Sequence, residues 1–182
     1  GCGWLGLPLA KALLKNDYIV NGSTTSEEKL AVLENAGIEP FLIALSENKT
    51  TGNLTDFLEN SEILIIDVPP KLRGSGTENF VSKIRNVIPF IEKSSVKKVL
   101  FISSTSVYYD DDAFVTEETI AKPDTEGGKQ LLETEQLLQS NIHFKTTVLR
   151  FGGLIGEDRH PIKFLAGREN LDNPDAPINL IH

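Results

Sequence analysis

Three glycines at the start of the sequence have the spacing of a phosphate-binding turn. They stand in the run Gly1-Cys2-Gly3-Trp4-Leu5-Gly6, directly before a stretch with helical periodicity. In such a GxGxxG turn the first glycine permits a tight bend, the second lets the backbone approach a diphosphate, and the third lets helix and strand pack closely. The N-terminus of the following helix attracts the phosphate charge. We therefore expect a dinucleotide to bind here, with contacts from Gly1, Gly3, Trp4, Leu5 and Gly6.

Hydroxyl residues lie where such a site would bind the ribose of the dinucleotide. NAD-selective domains have an acidic residue about 20 positions after the turn, whereas this sequence has Ser23, Thr24 and Thr25. Without a carboxylate to repel it, a 2′-phosphate could be held by these hydroxyls and by backbone amides. The loop therefore favours NADP, although it contains no Arg or Lys and NAD stays possible. Thr25 can equally be a cap of the next helix.

Helical and strand patterns alternate along the rest of the sequence. Helical spacing of apolar residues follows the glycine turn as far as Asn16 and returns in four later stretches. The predicted strands are Tyr18–Val20, Phe41–Leu45, Ile63–Ile66, Val99–Ile102 and Phe144–Leu149. The later helices are predicted from Thr25 to Gly37, around Leu54 to Asn60, from Phe80 to Ile91 with a kink at Pro89, and across Leu131 to Leu138. This alternation predicts right-handed βαβ units and an α/β fold, a doubly wound parallel sheet of the Rossmann type.

Ligands of such sheets bind beyond the carboxyl ends of the strands. Val68 and Pro69 follow one predicted strand, and Ser103 follows the next. We therefore add these three residues to the predicted cofactor contacts.

The sequence starts and stops within predicted elements. Gly1 already belongs to a turn that normally follows a buried strand, so we expect roughly five to eight upstream residues to form the first strand. The last residues, up to His182, have the pattern of a new strand. We assign residues 1–150 to a dinucleotide-binding domain without its first strand, and residues 151–182 to the incomplete start of a small substrate-binding part.

The composition limits the classes of partner and the cellular compartment that we expect for this protein. A formal charge of −8 and a pI near 4.9 oppose binding to nucleic acid. Cys2 is the only cysteine, so no internal disulfide can form, which favours a reducing cytoplasm. The apolar runs are too short for a membrane span, and His143 has no metal-spaced partners, so we assign no metal. We expect a cytoplasmic protein that binds a small-molecule substrate, with a homodimer possible.

The run Phe101-Ile102-Ser103-Ser104-Thr105-Ser106-Val107-Tyr108 resembles the strand-end signature of the extended short-chain dehydrogenase/reductases, the NAD-dependent epimerase/dehydratase family. Val148-Leu149-Arg150, Gly156 and the terminal Asn179-Leu180-Ile181-His182 resemble later landmarks of that family, so the resemblance spans essentially the whole sequence. The glycine turn and the loop Gly156–Pro161 are similar to a bacterial atypical subgroup of epimerase-like proteins. One departure is the turn itself, because the family usually has GxxGxxG.

The resemblance implies a catalytic site of a serine or threonine, a tyrosine, and a lysine four residues after the tyrosine. Ser104 takes the serine position and would bond the reacting oxygen. Lys129 matches the lysine, which binds the nicotinamide ribose and lowers the tyrosine pKa. Thr125 stands where the tyrosine is expected, and an aliphatic hydroxyl is a far weaker acid than a phenol.

Another residue at the same rim would then have to exchange the proton. The candidates are Tyr109, Tyr108 and Asp110, of which Tyr109 stands where the family usually has glycine. The alternative is that Tyr108 is a packing residue and the acidic loop is solvated.

Two functions follow from this resemblance. The first is an NAD(P)-dependent oxidoreductase that resembles epimerases or dehydratases acting on nucleotide sugars or related hydroxyl or carbonyl compounds. The second is a non-catalytic NAD(P)-binding sensor or regulatory protein, since the tyrosine is absent. The Gly3-Trp4-Leu5-Gly6 turn and Val68-Pro69-Pro70 also resemble β-hydroxyacid dehydrogenases, a class that the Ser103–Tyr108 run disfavours.

Overall fold

The computed structural model describes residues 1–70, 78–109, 111, 113–170 and 175–182. The helices are α1 (Gly6–Leu14), α2 (Leu30–Asn35), α3 (Leu54–Leu58), α4 (Phe80–Arg85), α5 (Ile88–Lys93), α6 (Glu126–Gln139) and α7 (Ile162–Leu165). The strands are β1 (Asn21–Thr24), β2 (Glu39–Leu42), β3 (Ala44–Leu45), β4 (Thr50–Thr51), β5 (Ile63–Ile66), β6 (Lys98–Ser104), β7 (Lys145–Phe151), β8 (Gly153–Leu154) and β9 (Leu180–Ile181). Single 3-10 turns occur at Glu27–Lys29 and Thr105–Val107.

Two parallel ladders carry the site. In the larger ladder β6 pairs with β5 on one side and with β7 on the other, in the order β5-β6-β7. In the smaller ladder β1 pairs with β2, from Asn21 opposite Glu39 to Thr24 opposite Leu42. Helices connect the paired strands in each ladder, as parallel pairing requires. The predicted α/β class with a Rossmann-type parallel sheet is confirmed.

The second predicted strand begins later in the chain than its apolar residues suggest. The prediction of Tyr18–Val20 is wrong, since Ile19 is 97% exposed and the strand is Asn21–Thr24. Gly22 in this strand has no room for a side chain, because a Cβ there would lie 2.5 Å from Ile38 Cγ2 and 2.8 Å from Cys2 Sγ. The paired segment is therefore closely packed although its residues are not apolar.

Two further predicted elements are divided. The predicted strand Phe41–Leu45 becomes β2, which is parallel to β1, and β3, which turns to pair antiparallel with β4. The predicted long helix with a kink at Pro89 becomes α4 and α5, which separate at Asn86 and Val87. Pro89 lies in the first turn of α5, where its missing N–H has no helical acceptor to lose. The side chain of Asn86 instead donates to the carbonyls of Ser46 and Glu47, at 3.2 and 3.0 Å.

The main core lies between the larger ladder and α3 to α6. Phe80 of α4 and Phe101 of β6 stack with ring centroids 6.3 Å apart and are fully buried. This packing fixes the carboxyl ends of β5 and β6 relative to the start of α6. In the described part of the chain, no helix combines the length and the apolar character needed to cross a membrane.

Candidate functional site

The glycine turn contacts both ladders. The N–H of Cys2 donates to the carbonyl of Ser23 in β1 at 2.7 Å, while a Cβ on Gly1 would lie 3.1 Å from the carbonyl oxygen of Asp67, just after β5. A Cβ on Gly6 would lie 2.0 Å from the carbonyl oxygen of Gly1, so only glycine lets α1 begin this close to the turn. The third glycine of the motif therefore has the predicted packing role.

The second glycine is open to a ligand. Gly3 is exposed, and a Cβ built on it meets no atom within 4 Å. Open space above a turn at a helix start is what close approach of a diphosphate to the backbone requires. The turn thus has the shape to receive a dinucleotide.

A cavity of about 300 Å³ lies between the two ladders. Most of its lining is apolar and comes from β5, α3 and α4, and its polar lining comes mainly from the glycine turn and the end of β1. Its lining includes most of the predicted cofactor contacts, namely Gly1, Gly3, Ser23, Thr24, Thr25, Val68 and Pro69. The other five, Trp4, Leu5, Gly6, Ser103 and Lys129, are outside this lining. The structure therefore brings the diphosphate turn and the ribose-side hydroxyls to one cavity.

Three charged residues of this cavity, Lys29, Asp67 and Lys83, were not among the predicted contacts, and Lys83 is paired with Glu78. Lys29, in the 3-10 turn after β1, lines it together with Thr24 and Thr25. Asp67 lines it beside the glycine turn, with Oδ2 3.1 Å from where a Cβ of Gly6 would be. Burial raises the pKa of the Asp67 carboxyl, and the hydrogen bond from the backbone N–H of Gly6 acts in the opposite direction. The cavity thus has a cation at the ribose side and a partly desolvated carboxyl at the diphosphate side.

The predicted catalytic serine lies at the end of β6. The side-chain oxygen of Ser104 accepts a hydrogen bond from the N–H of Ser106 at 3.2 Å, which caps the 3-10 turn Thr105–Val107. Since Oγ accepts there, its hydroxyl hydrogen can donate elsewhere. A Cβ on Gly128 would lie 2.1 Å from the carbonyl oxygen of Ser106. Gly128 therefore lets the first turn of α6 pack directly against this 3-10 turn.

Thr125 has a structural role at the start of α6. Its hydroxyl accepts from the N–H of Gly128 at 3.1 Å, as the N-cap of the helix. Lys129 and Tyr109 are both exposed, whereas Asp110, the acidic alternative, lies outside the described residues. The structure therefore brings Ser104 close to the start of α6, and it gives Thr125 the function of a cap.

A buried carboxylate connects α6 with β6 and β7. Glu135 is 1% exposed and accepts from Ser103 Oγ at 2.5 Å and from Arg150 Nη2 at 2.6 Å. Arg150 Nη1 donates to the hydroxyl of Tyr108 at 2.8 Å, and that hydroxyl donates to the carbonyl of Thr116 at 3.1 Å. The guanidinium lies 4.9 Å from the centroid of the Tyr108 ring. The Tyr108 hydroxyl thus has two hydrogen-bond partners within the protein.

This network also accounts for Ser103. Ser103 is 5% exposed, and its hydroxyl donates a hydrogen bond to Glu135 inside the protein. Glu135 in turn raises the pKa of the Arg150 guanidinium above its usual value. The ion pair thus fixes the carboxyl ends of two strands below the candidate site.

Comparison with known proteins decides the family. A family model described as NAD(P)H-binding matches residues 1–178. The chain belongs to this NAD(P)H-binding family. A family that binds NAD(P)H is expected to have a dinucleotide site, which agrees with the glycine turn and the cavity.

This NAD(P)H-binding chain is similar to several individual proteins. Protein YeeZ of Escherichia coli strain K12 is 32% identical over 183 residues, a match that covers 100% of the chain and 66% of YeeZ. A structure from Methylobacillus flagellatus assigned to the NAD-dependent epimerase/dehydratases is 29% identical, with a TM-score of 0.67, over 91% of the chain and 56% of that structure. UDP-glucuronic acid 4-epimerase of Bacillus cereus, in complex with UDP-glucuronic acid and NAD, has the same fold at 21% identity, with a TM-score of 0.67, over 88% of the chain and 57% of that structure. The chain thus spans part of each relative, and the predicted resemblance to the epimerase/dehydratase family is confirmed.

The unpredicted residues left weak signals in the sequence. Glu135 stands four residues after Leu131 and three before Leu138, both buried, so a charge occupies the apolar face of α6. Lys29 stands one turn after Thr25, in a segment with helical spacing. The sequence signals for the network were Glu135, a charge at a core position of a helix, and Arg150, a charge directly after a predicted strand.

Proposed function

We propose that this chain is the cofactor-binding part of an NADP-dependent oxidoreductase of the epimerase/dehydratase type. The observation that carries the proposal is that an open glycine turn, the hydroxyl residues Ser23, Thr24 and Thr25, and Lys29 all line one cavity. A 2′-phosphate is best held by charge-assisted hydrogen bonds, and the acidic residue of NAD-selective domains is absent at this position. NADP is therefore the preferred cofactor in this proposal, and NAD the second.

The proposed chemistry is transfer of a hydride at a hydroxyl-bearing carbon. When bound, the nicotinamide would take up or return the hydride. Ser104 would donate its hydroxyl hydrogen to the substrate oxygen, and Lys129 would bind the nicotinamide ribose. Tyr109 would exchange the proton of the substrate oxygen with solvent.

The proposed substrate is a nucleotide sugar or a related small hydroxyl or carbonyl compound. The support is the epimerase of Bacillus cereus, whose structure holds UDP-glucuronic acid with NAD. Residues 151–182 would form the start of the substrate-binding part, in a cytoplasmic protein.

A test of cofactor choice compares Lys29→Gln with Lys97→Gln. Lys97 is exposed and lies at the opposite edge of the sheet, before β6. We expect Lys29→Gln to weaken NADPH binding about tenfold, as for loss of one hydrogen bond to a charged group, and to leave NADH binding unchanged. Calorimetry that finds equal loss for both cofactors would contradict the 2′-phosphate role, and absence of binding of either cofactor to the wild type would contradict the whole proposal.

A test of catalysis uses the longer natural protein with NADP and a panel of nucleotide sugars. Lys129→Ala should abolish conversion of the nucleotide sugar, followed by chromatography of the products, because the nicotinamide ribose loses its ligand. Retained turnover in that variant would remove Lys129 from the mechanism.

The second candidate is a non-catalytic NAD(P)-binding sensor. The observation in its favour is Thr125, which caps α6 through Gly128 in place of a proton-exchanging tyrosine. Under this proposal the wild type binds NADPH but turns over no sugar, and Thr125→Tyr gains activity. Turnover of a sugar by the wild type would exclude the sensor proposal.

A further inference from the structure

The turn Gly156–Arg159 packs against Trp4, the only tryptophan of the sequence. Trp4 Nε1 donates to Oδ1 of Asp158 at 2.7 Å, across 154 residues of chain. The guanidinium of Arg159 lies over the indole, 4.5 Å from the ring centroid. A Cβ on Gly156 would lie 2.8 Å from Cζ2 of the same ring. Three residues of one turn, Gly156–Arg159, thus contact the edge, the face and the N–H of a single indole.

The Gly156–Arg159 turn is held in shape before it meets Trp4. Gly156 and Arg159 exchange backbone hydrogen bonds at 3.3 and 3.1 Å. From α7, the ammonium of Lys163 donates to the carbonyl of Asp158 at 3.0 Å. The Asp158 carboxylate and the Arg159 guanidinium are therefore presented to the indole from a fixed backbone.

Trp4 is part of the glycine turn that is proposed to bind the dinucleotide. Trp4 lies between Gly3, which is open to the ligand, and Leu5, the N-cap residue of α1. Because the ring is held at its N–H by Asp158 and on its face by Arg159, the backbone of Trp4 is tethered to the Gly156–Arg159 turn, and displacement of the glycine turn would have to break these contacts or turn the side chain out of its rotamer. A hydrogen bond to a carboxylate and a stacked guanidinium each resist such a displacement.

We propose that Asp158 is a positioning residue for the cofactor, acting through Trp4. The contact of the Gly156–Arg159 turn with the indole holds the glycine turn in its binding conformation and raises its affinity for the dinucleotide. It also connects the diphosphate site to the segment after β7. This inference rests on the proposed dinucleotide binding at the glycine turn.

The test measures NADPH affinity and tryptophan emission in two matched pairs of variants. Asp158→Ala removes the acceptor, while Asp158→Asn keeps an acceptor oxygen at the same position. Gly156→Ala pushes the indole by steric contact without a change of charge. The control Asp175→Ala removes the same charge from an exposed aspartate outside the turn.

We expect Asp158→Ala and Gly156→Ala to weaken NADPH binding about tenfold, as for loss of one charge-assisted hydrogen bond, and to shift the emission of Trp4 to longer wavelength. Asp158→Asn should restore most of the affinity and the emission, and Asp175→Ala should change neither. Circular dichroism of each variant verifies that it is folded.

Three results would overturn the inference. If Asp158→Ala shifts the emission but binds NADPH as tightly as the wild type, the contact does not position the cofactor, and the proposed function stands. If Asp158→Asn is as weak as Asp158→Ala, the hydrogen bond is not the cause. If the wild type binds neither NADPH nor NADH, the proposed function fails together with this inference.

Discussion

Replacement of Glu135 by alanine tests the buried network directly. The carboxylate accepts from Ser103 Oγ, from Arg150 Nε at 3.1 and 3.2 Å, and from Arg150 Nη2 at 2.6 Å. Glu135→Ala removes all of these acceptors and leaves the guanidinium with the hydroxyl of Tyr108. The variant therefore leaves a charge in the protein without its counter-ion.

The size of the effect follows from burial. Loss of one partner from a buried ion pair costs about 3–5 kcal/mol of the free energy of unfolding. The side chain of Arg150 is 24% exposed, so water can solvate part of the remaining charge, and we expect a loss near the lower limit, about 3 kcal/mol. At about 2–4 °C per kcal/mol for a domain of this size, the melting temperature should fall by roughly 6–12 °C.

Urea unfolding followed by circular dichroism measures this loss, with Glu133→Ala as the control. Glu133 lies on the same helix and pairs with Arg85 at 3.6 Å, with both side chains more than half exposed, so its loss should cost less than about 1 kcal/mol. The double variant Glu135→Leu with Arg150→Met removes both charges and should recover most of the stability. The reasoning is refuted if Glu135→Ala costs no more than Glu133→Ala, or if the double variant is the least stable of the set.

Three further outcomes can be measured. Gly128→Ala should lower the free energy of unfolding by about 1–3 kcal/mol, because its Cβ would meet the carbonyl of Ser106 at 2.1 Å, whereas Gly127→Ala meets nothing within 4 Å and should cause no loss in the same urea experiment. Thr125→Ala should cost about 1 kcal/mol as a lost N-cap and Thr125→Ser should restore it, and equal stability of the two variants would contradict the capping role. Burial raises the pKa of Asp67, so the folded chain favours the neutral carboxyl. This contribution to the stability of the fold is present at low pH and is lost as the pH rises through the pKa of Asp67 in the folded state. NADPH affinity, measured by calorimetry, should fall over the same rise and become less pH-dependent in Asp67→Asn, and identical pH profiles would contradict this.

The sequence predicts best where one local pattern decides the structure. The continuous apolar run Ile63–Ile66 is a strand with the predicted bounds, and Leu64 and Ile66 are buried in the core while Ile63 is 47% exposed. The glycine turn is similar, since its spacing determines the close approach of Gly6 to Gly1. Both features depend on few residues that are adjacent in the chain.

Predictions that depend on distant partners are the ones that failed or were not made. The strand at Asn21–Thr24 instead of Tyr18–Val20 contains Gly22 packed closely against Ile38, a contact that apolar periodicity does not record. Glu135 has the residue type of a solvated helix face, and its partner Arg150 comes 15 residues later. For the same reason Lys29 was not recognised as part of the cavity.

The position of the glycine turn between the two ladders has a consequence for the lifetime of the protein. Gly1 and Cys2 contact the ends of both β5 and β1, so a dinucleotide held there adds cohesion between two parts of the sheet. A ligand that binds only the folded chain stabilises it by about 2.7 kcal/mol when present at a hundredfold excess over its Kd. A dinucleotide bound as proposed would then lower the unfolded fraction of the chain, and with it the rate of proteolysis of the unfolded state.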